Sequence, residues 1–136
     1  MTRAHDAPRS PSLPVRGALT VALAVLANVA LVLAADALAV APDLRALTVP
    51  PVAFLSAVGA VGATVVYRLL GRFVSDPEPT FLRIAAGVLL VSFVPDLALL
   101  AVDPAATPLA VVVLMAMHVV VAAASVGALV YWRADR

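Results

Sequence analysis

The chain has 136 residues, of which 64% are hydrophobic and only 12% charged, and its mean hydropathy is +1.10. An ordinary soluble chain is about 45–50% apolar and about 25% charged, and a domain this small leaves much of its surface in solvent, so a water-soluble globule is excluded. A net charge of +1 and the absence of cysteine also exclude a global attraction to nucleic acid, a disulfide framework and thiolate metal sites.

Residues 1–16 contain Pro8, Pro11 and Pro14, scattered charges and no apolar periodicity. They predict a disordered tail. The rest of the chain, 17–136, predicts one transmembrane domain. A bilayer core of about 30 Å takes roughly 20 apolar residues in a helix, and four stretches meet that length.

The first is 17–41, GALTVALAVLANVALVLAADALAVA. Its small residues would suit cleavage of a secretory leader. The apolar run over 17–35 nevertheless exceeds the roughly 7–15 residues of a leader core, so this span is expected to be retained. Gly17, Thr20, Ala24, Ala27 and Asn28 share one helical stripe. The second span is 51–70. Ser56, Gly59, Ala60, Ala63 and Thr64 form a small-residue stripe suited to helix packing, while Phe54, Val58, Val61, Val65 and Leu69 form a bulky stripe suited to lipid. The stripe predicts an intramolecular seam ahead of a dimer interface. Gly71 is placed to end this helix, and Pro77 and Pro79 to keep the next connection irregular.

The third span, 81–102, carries VSFVPDLALL, with a helix-breaking Pro95 beside a charged Asp96. Pro95 leaves the Val91 carbonyl without its helical donor and predicts a kink. The fourth span, 108–132, opens on Thr107 and Pro108, an N-cap followed by a first helical residue. It carries His118 and ends on Tyr131 and Trp132. Short connections between the spans favour antiparallel neighbours. The fold class is therefore all-α, an integral membrane up-down four-helix bundle.

Arginines set the expected orientation. Arg3, Arg9, Arg16, Arg68, Arg72, Arg83, Arg133 and Arg136 fall on one side and Arg45 alone on the other. By the positive-inside rule both termini are cytoplasmic, and the location is the cell (plasma) membrane, multi-pass.

Counting about 1.5 Å per helical residue places Asp96 roughly 10 Å below the outer boundary and Ser92 and His118 roughly 15 Å below it. Asn28 lies about one turn deeper, and Ser56 about level with Asp96. Asn28, Ser92, Asp96 and His118 thus form a candidate intramembrane polar cluster. An Asp at a span's centre costs about 2.5–3.5 kcal/mol to insert. A partner lowers that cost, and His118 is the nearest candidate by depth. Such a set is either interhelical hydrogen-bond glue or a proton or ligand site.

The segments RGALTVALAVLANVALVL, SAVGAVGATVVYRLLGR, TFLRIAAGVLLVSFVPDLALL and LMAMHVVVAAASVGALV resemble a family of small four-span membrane proteins known as a domain of unknown function, of the DUF6069 type. The resemblance covers nearly everything after the tail. It implies a topology and no activity, and it carries over no catalytic residue.

The sequence shows no paired-carboxylate motif, no Ser-His-Asp set with defensible geometry, no phosphate-cradling glycine loop and no histidine cluster. It predicts a non-enzymatic structural or interaction subunit, with the lipid bilayer and a second copy or another membrane protein as partners, no nucleic acid, no metal and no cofactor. The alternative is a small oligomeric transporter or proton-coupled permeation unit that uses Asp96 and His118.

Overall fold

A computed structural model of the protein describes residues 10–132. Residues 1–9 and 133–136 lie outside it, and with them most of the expected tail and four of the eight arginines used for orientation.

Four helices follow in order: α1 (Leu13–Ala37), α2 (Val49–Phe73), α3 (Pro77–Val102) and α4 (Pro108–Val126), the last continuing as a π-helical turn over Gly127–Tyr131. No strand occurs among the described residues. Each helix has proline in its first turn, where the missing N–H costs nothing and the fixed φ suits the helix. This moves the starts of α1 and α3. α1 starts at Leu13 rather than Gly17, so part of the expected tail is helical. Pro77 opens α3 instead of interrupting a loop. α2 runs past Gly71 to Phe73.

α1 stops at Ala37, short of the expected Ala41, because the chain turns on Ala39, which adopts φ +50°. The Ala39 and Val40 N–H groups donate back to the Asp36 and Ala35 carbonyls at 2.9 and 3.0 Å, so helix-end acceptors are satisfied without glycine. Thr107 caps α4 as its position predicts, its Oγ1 accepting the Ala110 N–H at 3.1 Å.

The helices alternate in direction. The start of α1 meets the ends of α2 and α4, and Tyr67 late in α2 meets Phe81 early in α3. α1 packs mainly on α2 and α4, α3 mainly on α4, and α2 and α3 touch sparsely. Buried Arg16, Thr20, Ala24, Asn28 and Val32 run every fourth residue along α1. Ala27, expected on this stripe, is exposed.

Two apolar clusters close the bundle. At the end bearing Arg45, Leu44 and Leu47 of the first connection fold in against Val32, Val52, Ala110 and Leu114. At the opposite end, Tyr67, Phe81, Leu129 and Val130 pack together. The Tyr67 and Phe81 rings meet edge to face, with centroids 5.2 Å apart.

The bulky stripe of α2 faces outward throughout, as do Leu26, Leu33, Leu90 and Val91. In water each such side chain would forgo roughly 1.5–3 kcal/mol of burial; hydrocarbon removes that penalty. All four helices are long and apolar enough to cross a bilayer, and the fold is that of a multi-pass membrane helical bundle.

Candidate functional site

Between the two apolar clusters lies a layer of polar side chains. Asn28 on α1 is 1% exposed, and its amide nitrogen donates to Ser56 Oγ on α2 at 2.8 Å and to the Met117 carbonyl on α4 at 3.2 Å. Three helices are therefore joined through one amide. Both amide hydrogens are used, and the buried Oδ1 has no partner.

The second element joins α3 to α4. Asp96 is 7% exposed, and its Oδ2 lies 2.9 Å from His118 Nδ1. The same nitrogen lies 3.0 Å from the Leu114 carbonyl one turn earlier. One ring nitrogen carries at most one proton. With that proton directed along the helix to Leu114, Asp96 Oδ2 is close to the imidazole but has no aligned donor. With the proton on the carboxyl instead, Asp96 becomes the donor and Nδ1 the acceptor. The geometry serves either a charge pair or a neutral one, so a proton can relocate over this distance without a helix moving.

Of the predicted cluster, the structure brings Asp96 and His118 together and sets Asn28 beside Ser56, a residue that the sequence places about level with Asp96 and in the packing stripe. Ser92 stands apart: its hydroxyl donates to Leu89 O at 2.6 Å on its own helix. α3 continues unbroken through Pro95, which is exposed, so the proline borders lipid and not the polar layer.

The predicted packing stripe divides in two. Ser56 and Ala60 are buried, and Thr64 contacts Gly17 of α1. Gly59 is exposed, and with Ala63 it lines a groove between α2 and α3. This groove has a volume of about 550 Å³; α4 forms its floor, and Asn28, Ser56, Ser92, Asp96 and His118 all reach it. Among the described residues no three His, Cys, Asp or Glu side chains gather as metal ligands would.

Sequence reasoning missed Arg16, which it placed in the tail. The residue is 8% exposed, its Nε donates to the Ala128 carbonyl at 3.0 Å, and its guanidinium lies 5.5 Å from the Tyr67 ring centroid. Such a cation–ring contact contributes about 0.5–2 kcal/mol. The acceptor exists because the π-helical turn displaces the Ala128 carbonyl from regular α-helical pairing. The signal was present in the fourfold spacing from Arg16 through Thr20 and Ala24 to Asn28.

Comparisons with known proteins add no activity. Neither the curated proteins nor the solved structures contain a match to the chain. A family model described as a family of unknown function, DUF6069, matches residues 8–135, and the chain belongs to that family.

Proposed function

We propose that this protein is a non-enzymatic subunit of the plasma membrane, with both termini cytoplasmic, that works by associating with a second copy or with another membrane protein. The observation that carries this reading is the position of α3. Of its 26 residues only Phe81 and Asp96 are buried, and Leu90, Val91 and Val94 on its outer side are 64–69% exposed. Helices in lipid associate through close packing, and α3 is the helix whose packing within the chain is least complete. The interior supports a non-enzymatic role, because the Thr20, Asn28, Ser92 and Ser125 donors are spent on acceptors within the chain. The grouping of Arg68, Arg72 and Arg83 at the end opposite Arg45 supports the orientation.

The chain has no cysteine, so Val91→Cys introduces a lone thiol on the outer side of α3. Mild oxidation or a thiol-anchored photo-cross-linker in native membranes should give a discrete adduct, homomeric or with one partner. Val58→Cys on the lipid-facing side of α2 should give none. Failure of Val91→Cys to form any adduct would remove the reading.

A second reading, proton-coupled permeation by an oligomer, is favoured by one observation: the Asp96–His118 pair borders the groove at 2.9 Å. On this reading wild-type protein in liposomes carries a proton flux, followed with an entrapped pH dye, and Asp96→Asn abolishes it. A wild type that is silent across a broad solute panel would count decisively against permeation.

A further inference from the structure

α3 is fastened to the bundle at two places. Phe81 and Asp96 are its buried residues, about 22 Å apart at 1.5 Å per residue. The first fastening is the ring contact between Phe81 and Tyr67, and neither ring changes charge near neutral pH. The second is the Asp96–His118 contact at 2.9 Å, and histidine changes charge between about pH 5 and pH 8.

Asp96 also begins the final stretch of α3, which runs to Val102. Within that stretch Leu97, Ala98, Leu100, Ala101 and Val102 are exposed, and Leu99 is half-buried. Pro95 stands immediately before it. Having no N–H for the Val91 carbonyl, the proline weakens the hydrogen-bond ladder where the stretch begins, and helices bend at such points. Sparse contact between α2 and α3 leaves the stretch unsupported on that side.

We propose that the end of α3 beyond Pro95 is a proton-controlled arm, held against α4 by the Asp96–His118 contact and released by acid, with Pro95 as the hinge.

With one proton to share, the pair is neutral overall, as imidazolium and carboxylate or as imidazole and carboxyl. A second proton leaves a carboxyl facing an imidazolium. The charge attraction is then lost, and a cation without a counter-charge is driven toward water. Nothing else lining the groove can compensate it. α1 and α2 present Asn28 and Ser56, α3 adds Ser92 and α4 adds Ser125, and none of these titrates. Asp36, Asp43, Arg45 and Asp103, the charged groups at that end of the bundle, lie outside the groove lining. The groove extends to Ala46, beside exposed Arg45. Protons therefore have a route to the part-exposed imidazole without the bundle coming apart. The device needs neither a proton crossing the membrane nor a second copy, so it stands apart from both functional readings.

The test is pulsed electron–electron double resonance on the spin-labelled full chain in lipid nanodiscs, at about pH 8 and about pH 5. Dilution with unlabelled chain keeps association from adding distances. Val102→Cys marks the arm, and Leu33→Cys on α1 and Phe54→Cys on α2, each paired with it, register displacement in any direction. A bend of about 20° in an arm about 10 Å long moves its tip by about 3–4 Å. Acid should shift the Val102 distances by about that much and leave those from Leu90→Cys, on the near side of Pro95, unchanged. The shift should vanish in Asp96→Leu/His118→Leu and shrink in Pro95→Ala, which restores the missing N–H. Wild-type Val102 distances that stay fixed in acid overturn the proposal. So does an equal shift at Leu90, which would mean movement of the whole helix, or a shift that persists in the double variant.

Discussion

Replacing His118 with leucine is expected to destabilise the bundle by about 1–3 kcal/mol, the cost of leaving a buried polar group without its partner. The imidazole is 38% exposed against 9% for the Asp96 side chain, so the loss falls mainly on Asp96. The substitution leaves Asp96 Oδ2 buried with no neighbouring group to share its proton or charge. The double variant Asp96→Leu/His118→Leu should recover most of the loss, because replacing both members of a buried pair by apolar side chains removes the desolvation cost together with the attraction. Reversible unfolding in bicelles measures all three proteins and yields the coupling energy. A His118→Leu protein within about 0.5 kcal/mol of wild type, the spread of ordinary surface substitutions, would show that the contact contributes nothing to stability.

The second large effect is expected at Gly17. A Cβ there would lie 2.7 Å from Thr64 Cγ2 and 3.2 Å from its Oγ1. Thr64 cannot easily turn away, because its hydroxyl donates to the Ala60 carbonyl at 2.9 Å and its branched side chain is stiff at χ1. Gly17→Leu must therefore push α1 and α2 apart along their main seam, at a cost of about 1–3 kcal/mol or more. Gly87 is the internal control. It lies within α3, a Cβ there meets nothing within 4 Å, and Gly87→Ala should be neutral or stabilising by about 0.5–1 kcal/mol, since glycine inside a helix is unfavourable. The same unfolding measurement ranks the two. If Gly17→Leu costs no more than Gly87→Ala, the close approach of α1 and α2 is not a determinant of stability.

The number of spans and the outward side of α2 were legible because lipid imposes simple rules: a minimum apolar length, and small residues where helices meet. Asp96 and His118 could be matched by depth because helical rise is constant. Other features follow from rules that composition does not display. Pro14 and Pro77 open helices, as Pro108 does, and do not bound them from outside, which displaces the starts of α1 and α3. Arg16 counted as a topogenic charge, although its spacing from Thr20 already placed it on the buried side of α1. The groove had no sequence signature, because it arises from sparse contact between α2 and α3. Gly59 and Ala63 line it while also touching α4 and the Tyr67–Phe81 cluster, a double role that small residues do not signal in sequence.

The bond from Arg16 to the Ala128 carbonyl spans 112 residues of sequence. Its donor lies at the opening of the first helix and its acceptor in the terminal turn of the last. During synthesis the guanidinium is made long before its acceptor, so this bond cannot form until the final helix has left the ribosome. Docking of that late carbonyl latches the first transmembrane helix to the last, so this bond closes only after all four helices have been made.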